Sequence, residues 1–469
     1  MNLRGRNKVD PSFNMSSMTD IVFLLLIFFM LTSTLVTVSA IDVLLPKAGG
    51  KTENNTSISV SITSKSTFYI DKAKVSSLQL EREILKKVGV DNDVLEIAIP
   101  MYKRIMHDEK GNLSEQPYGN EGEAIYSVSR ASLNVLMMEM SEKNGAKLYF
   151  NEKCIDANLE EAIATFENTN TDTKKVISAD LLIGADGSLS AVREQMVKKH
   201  HHEYAYNEIE HDYKELLIPA GDNGTHLLDK NALHIWPRGN FMLIALANLD
   251  GSFTCTLFAP KKGRNSFEGL NSKQEVENYF TTIFPDFTTI VPNLYEQWSV
   301  NPTSGLGIVK TYPWHVKDTS ILIGDAAHAT VPFYGQGMNA GFEDCRILDE
   351  LLDKHEDNFE TCFDEYSKSR KPNGDGVQDL SMHNFIVMRD KTADPKFLLQ
   401  KEIEKKFANL YPDKWVPLYS MVSFTNTPYS EAWKIGMKQE KLMQSIMNTP
   451  NIEEIWESDE IMQKMYSLV

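Results

Sequence analysis

The sequence predicts a mixed α/β chain: one membrane-length helix, then alternating strands and helices, then a helical tail. Three observations carry that class. Residues Ile21 to Ile41 (IVFLLLIFFMLTSTLVTVSAI) contain no charge. ADLLIGAD and TSILIGDAAH are apolar runs ending in tight turns, the pattern of buried parallel strands. Beyond Gly374 the chain carries Met382, Met388, Met437, Met443, Met447, Met462 and Met465, which suits helical core packing. With 469 residues and about 150 residues per domain, three segments are expected. These are 1–82, 83–375 with a β-rich part at about 204–310, and 376–469.

Composition narrows the function classes. Lys and Arg total 48 against 65 Asp and Glu, a net charge of −17. Non-specific nucleic-acid binding needs clustered positive charge, so no nucleic-acid partner is expected. Hydrophobic residues at 42% with 24% charged fit a chain with a core, not a disordered or disulfide-stapled one. Cys154, Cys255, Cys345 and Cys362 form no CxxC pair, which favours small buried thiols over zinc ligands. His200–His202 are consecutive and cannot all face one ion within a regular element, so no metal site is expected.

The first element is the apolar run. At a rise of about 1.5 Å per residue, such a run spans the roughly 30 Å hydrocarbon core. A signal peptide is the alternative, but the run is long for one and LLPK after it is a poor cleavage site. Arg4, Arg6 and Lys8 precede the run. The positive-inside rule then puts the N-terminus in the cytoplasm and the chain beyond Asp42 outside. Asp20 stands at the head of the helix, where a carboxylate is costly unless paired, hydrated or protonated. Either it binds a proton inside a bundle or it caps the helix at the interface, and position alone favours the cap.

The elements after it follow from period and punctuation. Beyond the polar linker Lys47–Thr56, SISVSIT and STFYI alternate like strands. SSLQLEREILKKVG reads as a helix capped at Ser76 or Ser77. Strands and helices alternate from near Leu85 to Arg346. Within them His234–Pro260 reads as a hairpin or meander with a turn at Asp250-Gly251.

Two glycine–carboxylate blocks stand out. In ADLLIGADGSLSAVR, Asp186 and Gly187 close a strand before a helix. This permits close backbone approach to a ligand, although an ordinary strand–turn–helix reads the same. In TSILIGDAAHATVPFYGQGMNAGFEDC a strand ends at Gly324-Asp325, and Gly335-Gln336-Gly337 opens a helix whose N–H groups suit an oxygen or a phosphate. Gly335–Ala340 matches G-x-G-x-x-A formally but lacks the strand immediately before it. Arg104, taken alone, reads as a surface ion-pair partner.

Resemblances add to these readings. FNMSSMTDIVFLLLIFFMLTSTL with IDVLLPKA resembles the ExbD/TolR family of biopolymer-transport subunits over about residues 3–80. That resemblance implies one helix in a bacterial inner membrane, a small periplasmic domain, and an ExbB/TolQ-like proton-channel partner. It also implies proton coupling at Asp20. The two glycine–carboxylate blocks together resemble the DG and GD motifs of the flavoprotein aromatic hydroxylases. IPMYKRIMH, PYG, YSVSR, LHIWPR, FTCTLF, PFYGQGMNAGFEDC, DLSMHNF and WVPLYSMV follow in the order of the kynurenine 3-monooxygenase family, over about residues 84–445.

The second resemblance implies an FAD-binding hydroxylase fold with a β-rich substrate part and a helical C-terminal part. It implies FAD as cofactor, NADPH as co-substrate, and hydroxylation of L-kynurenine by O2 to 3-hydroxykynurenine. Arg104, Tyr118, Asn384 and Tyr419 fall on the positions that hold the amino-acid end of the substrate. A guanidinium fork suits a carboxylate, and two phenols and an amide add neutral donors. Arg130, Ile155, Asp186, Gly187, Asp325, Gly335, Gly337, Met338 and Asn339 fall on flavin positions, Ile155 on a strand with no sharp motif. Pro332, Phe333 and Gln336 fall on the loop facing the reactive edge of the flavin. No side chain is expected to act as a nucleophile, because the chemistry belongs to the cofactor.

One family feature is missing. The hydroxylases begin with a strand, a G-x-G-x-x-G turn and a helix that cradle the pyrophosphate. Here the ExbD-like segment stands in that place. The expected fold is a truncated one with an unpaired sheet edge. The chain reads as a junction of two unrelated segments, a hydroxylase or, alternatively, a transport subunit carrying an inactive flavoprotein remnant. The two also disagree over the membrane side, since NADPH is cytoplasmic.

Overall fold

The computed structural model describes residues 60–62, 68–70, 73–75, 91–118, 123–356, 358–391 and 394–469. Asp20, the apolar run 21–41 and the expected junction near residue 82 lie outside the described residues. Among the described residues no helix is long and apolar enough to cross a membrane. Val60–Ile62, Phe68–Ile70 and Ala73–Val75 form a small antiparallel sheet. The first two fall where SISVSIT and STFYI predict strands.

The largest element is a seven-stranded sheet. Its order is Thr303–Tyr312, Glu203–Ile218, Phe253–Pro260, Met242–Ala247, Ala232–Pro237, Lys103–His107, Leu113–Pro117. The meander expected at His234–Pro260 forms its centre. All neighbours are antiparallel except Ala232–Pro237 and Lys103–His107. Parallel strands cannot be joined by a tight turn, so the chain between these two makes a long crossover. The sheet thereby recruits Lys103–His107 and Leu113–Pro117 from outside the β-rich part expected at about 204–310.

Alternation along the central strands buries both faces. Leu216, Ile218, Trp236, Leu243, Phe253 and Leu257 pack on one side with Phe280, Phe284 and Phe287. Met242, Ile244, Phe258, Leu306 and Ile308 face the other way, against Val331, Phe333 and Phe385. A second, smaller sheet pairs Leu182–Gly184 in parallel with Ser320–Leu322, where ADLLIGAD and TSILIGDAAH imply parallel strands. Its core draws on the helices Arg130–Lys143, Ala191–His200, Gly337–Lys354 and Phe359–Ile386.

The tail is helical, and one long helix runs through its expected start at residue 376. Residue 376 lies within the continuous helix Phe359–Ile386, which holds the two parts together where a linker would separate them. Gly376 permits this packing. A Cβ there would stand 2.7 Å from Ser430 N and 2.8 Å from the Tyr429 carbonyl carbon. Alanine is favoured over glycine inside a helix by about 1 kcal/mol, but a backbone clash outweighs that gain. Gly376→Ala is expected to lower the urea midpoint, and an unchanged or raised midpoint would show that the helices can separate.

One polar chain crosses the aromatic core of the large sheet. His107 Nδ1 meets Asp286 at 2.7 Å, and His107 Nε2 meets His234 Nδ1 at 2.9 Å. His234 Nε2 then meets the Asp229 carbonyl at 2.9 Å. Burial holds the His234 imidazole neutral down to about pH 4. Unfolded, the same histidine titrates near 6.5. As pH falls through the window from 6.5 to 4, the unfolded chain gains a proton that the folded chain does not. Stability therefore drops with pH there, by roughly 3 kcal/mol from this group. His234→Gln, which cannot titrate, is expected to flatten the urea midpoint against pH across that window.

Candidate functional site

The parallel pair sets the geometry. Gly184 lies opposite Leu322, so the turns that follow both strands open at the same end of the sheet. Gly324 has φ 57°, a conformation that side chains rarely adopt, and it delivers Asp325 to the start of the short helix Asp325–His328. Asp325 is half-buried. Burial raises its carboxyl above the usual range, and the charges of His328 and Arg130 oppose that rise.

One guanidinium joins the two turns. Arg193 donates to the carbonyls of Gly187 at 3.3 Å, Ser188 at 2.5 Å and Ala326 at 2.8 Å. Asp186 is engaged locally. Its Oδ2 accepts from Ala191 N at 2.7 Å and Val192 N at 3.2 Å, and its Oδ1 from the Ser190 hydroxyl. The carboxylate therefore serves the N-terminus of the Ala191–His200 helix. Gly187 beside it has φ 82°. Ile155 sits at a strand irregularity between Cys154 and Asp156. Burial, then the Asp186 carboxylate, push the neighbouring Cys154 thiol up to about 11. Arg130 opens its helix, and its charge acts on both Asp325 and Glu215.

Beyond Asp325 the chain builds a second wall. Pro332–Tyr334 forms one 3-10 turn, which ends at Gly335 with φ 73°. The helix Gly337–Lys354 follows, with Gln336 at its cap position and no side-chain cap bond. The first-turn N–H groups, which include those of Met338 and Asn339, are thus free of a side-chain acceptor and can receive a ligand oxygen. Gln336 Oε1 is held by Asn339 Nδ2 and by the Tyr429 hydroxyl, each at 3.0 Å. The half-buried Asp325 carboxylate, with no hydrogen-bond donor among the described residues, stands beside open helix N–H groups and suits the hydroxyls and ring oxygens of a flavin. Among the described residues no strand–GxGxxG–helix unit stands beside it, so the fit concerns the flavin end of the cofactor.

The other face of the large sheet carries the second half of the site. Arg104 lies between two phenol rings, 4.7 Å from the Tyr118 centroid and 4.5 Å from that of Tyr419. Tyr118 and Tyr419 stack at 5.7 Å, and Tyr334 stacks on Tyr419 at 5.6 Å. Arg104 Nε and the Tyr118 hydroxyl are buried with no hydrogen-bond partner. Burial opposes the charge of Arg104, but the phenols outweigh it and keep the guanidinium protonated. Among the described residues no carboxylate forms an ion pair with Arg104. The expectation of a surface ion pair for Arg104 alone is therefore corrected: the strand pairing carries it inward.

Asn384 reaches this site indirectly. Its Nδ2 donates to the Phe333 carbonyl at 2.7 Å. Phe333 stacks on Phe385 at 4.2 Å and lies 4.9 Å from Phe258. The structure thus brings Arg104, Tyr118 and Tyr419 into direct contact, and ties Asn384 to them through the loop. Sequence reasoning missed Tyr334. It stands in PFYGQG between residues singled out for the loop, but only its stacking on Tyr419 marks it. Burial pushes its phenol above the usual range.

Comparisons with known proteins agree with this geometry. Residues 79–381 match the FAD binding domain family, and residues 6–113 match the biopolymer transport protein ExbD/TolR family. A kynurenine 3-monooxygenase of Christiangramia forsetii is 46% identical over 385 residues, covering 82% of this chain and 86% of that protein. One from Flavobacterium johnsoniae is 48% identical over 385 residues, with the same coverage. One from Dictyostelium discoideum is 40% identical over 388 residues, covering 79% and 84%. Among solved structures, Klebsiella pneumoniae HpxO complexed with FAD aligns with a TM-score of 0.55 at 17% identity, over 71% of this chain and 86% of that one. A tetrameric 2-methyl-3-hydroxypyridine-5-carboxylic acid oxygenase aligns at 0.54 and 18%, over 67% and 81%. These structures share the mixed α/β flavoprotein fold. On sequence, the chain belongs to the kynurenine 3-monooxygenase family of FAD-dependent aromatic monooxygenases.

Proposed function

We propose that this chain hydroxylates the aromatic ring of L-kynurenine, using FAD, NADPH and O2. The observation that carries the reading is Arg104, a cation walled by Tyr118 and Tyr419 with no carboxylate paired to it among the described residues. A desolvated guanidinium of this kind calls for an anionic ligand that can accept a forked pair of hydrogen bonds. The carboxylate of an amino-acid substrate meets that need, and the buried Tyr118 hydroxyl adds a neutral donor. Phe333, Phe385 and Phe258 supply the apolar surface that an aniline ring requires.

The remaining roles follow the same division. Asp325 and the helix N-terminus at Gly337, Met338 and Asn339 would hold the flavin, with Arg130 near the phosphate. FAD, when bound, supplies the redox chemistry and the activation of O2. The residues of this chain orient the ring, hold its carboxylate and keep water from the reacting edge, which Pro332, Phe333 and Gln336 line. Asp186 and Gly187 shape the adjoining turn. The flavoprotein part is read as residues 83–375, with the helical remainder covering the substrate through Tyr419.

The match of residues 6–113 to ExbD/TolR supports a second reading for the N-terminal part. There the run 21–41 spans a membrane, Asp20 exchanges protons, and an ExbB/TolQ-like subunit is the partner. Its test is co-purification of such a subunit with the detergent-solubilised chain. Asp20→Asn is expected to abolish proton-coupled transport while leaving FAD content unchanged, and transport that survives the change would remove Asp20 from that role.

The hydroxylase reading is tested at Arg104. Arg104→Ala is expected to weaken L-kynurenine binding by about 2–5 kcal/mol, the effect of removing one member of a buried charge pair. A kynurenine analogue lacking the carboxylate should bind the parent and the variant alike. An unchanged Kd for L-kynurenine would remove the assignment.

A further inference from the structure

Asp344 is fully buried in the helix Gly337–Lys354, one residue before Cys345. Its carboxylate is shared by three partners. Oδ2 accepts from Gly324 N at 3.0 Å and meets His328 Nε2 at 2.5 Å. Oδ1 accepts from Arg370 Nε at 2.8 Å. Arg370, itself buried, also donates to Glu343 at 2.6 Å and to the Ala340 carbonyl at 3.2 Å. Burial alone would push the Asp344 carboxyl up, but His328 and Arg370 hold it well below the usual carboxylate range.

The partners belong to three separate elements. Gly324 and His328 bracket Asp325 on its turn. Ala340 and Asp344 lie on the helix whose first turn carries Met338 and Asn339. Arg370 lies on the helix that ends near Asn384. An apolar trio of similar volume would hold these elements together at lower desolvation cost. What the charged group adds is direction. A carboxylate oxygen aimed at Gly324 N fixes the orientation of the Ile323–Gly324 peptide plane, from which the chain turns through Gly324, φ 57°, into Asp325. The His328 ring, 5.1 Å from Trp314, clamps the other end of the same short helix.

We propose that Asp344 is a positioning residue of the flavin site, acting through Gly324 and His328 to hold the Asp325 carboxylate toward the cofactor. This rests on the reading of the Gly324-Asp325 turn as part of that site. Asp344 touches no ligand surface itself. Its effect is to remove the freedom that Asp325 would otherwise lose on binding, so binding is stronger with the turn preset.

The test compares FAD affinity with fold stability in the full-length, detergent-solubilised chain. FAD Kd is read from the quenching of flavin fluorescence, and the thermal transition is read on the apoprotein. Asp344→Asn keeps the shape but donates where it must accept. Ser367→Ala is the control: Ser367 is equally buried, and its hydroxyl accepts from Trp314 N at 2.9 Å without touching the turn. Asp344→Asn is expected to raise the FAD Kd at least tenfold and to alter the visible circular dichroism of the bound flavin. Ser367→Ala should lower the thermal midpoint and leave the Kd within twofold.

A folded Asp344→Asn chain with an unchanged Kd would overturn the inference alone. So would a Kd that rises in both variants in proportion to lost stability. If Asp344→Asn does not fold, His328→Leu carries the same test, with at least a threefold rise expected and no change counting against the proposal. A parent chain that retains no FAD would overturn both this inference and the reading beneath it.

Discussion

Gln378 donates from one buried amide to the carbonyls of Val309 at 2.6 Å and Ala329 at 3.0 Å. Through it, the helix Phe359–Ile386 holds the edge strand of the large sheet and the loop after Asp325 at once. The same helix reaches Trp314 N through Ser367, Asp344 through Arg370, Ser430 through Asn373 and Phe333 through Asn384. A rigid rod with contacts on all sides leaves the two halves of the site little freedom to move apart. The close approach at Gly376 keeps the rod against the helix Tyr429–Met447, whose first residue supports Gln336. The site therefore depends on one helix, which packs directly against the turn after Ser320–Leu322 where Gly374 meets His328.

The electrostatics of the two halves are opposite in sign. On the parallel sheet, Asp325 is a half-buried carboxylate without a hydrogen-bond donor among the described residues, moderated at range by His328 and Arg130. On the large sheet, Arg104 is a buried cation whose partners among the described residues are the phenols of Tyr419 and Tyr118. Each group is unfavourable where it stands unless a ligand completes it, because buried charge without a partner is expensive. Two carboxylates elsewhere are held by several protein donors. Asp344 has three donors, and Asp286 is held by His107 and by Trp236 Nε1 at 2.8 Å.

The two family matches overlap at residues 79–113. The pairing of Lys103–His107 with Ala232–Pro237 decides how residues 103–107 are used here. They form an integral strand of the hydroxylase sheet, with Arg104 aimed at its site. The resemblance to ExbD/TolR over about residues 3–80 stops short of this strand, and the longer match does not displace it.

The sequence by itself determined a good deal. Continuous apolar runs ending in Gly184 and Gly324 disclosed the parallel pair, because a strand buried on both faces has no polar alternation to obscure it. The motif order disclosed the family, and it singled out Arg104, Tyr118 and Tyr419, which the structure brings into contact. What the tertiary structure decided were relations between distant segments. Arg104 alone read as a surface residue, and only a parallel partner some 130 residues away turned it inward. Asp186 read either as a cofactor residue or as part of an ordinary strand–turn–helix, and only the folded chain shows its carboxylate accepting from Ala191 N and Val192 N. Tyr334, Arg193 and Asp344 carried no sequence signal of their own. Their partners lie on other elements, and period and spacing report only what neighbours along the chain share.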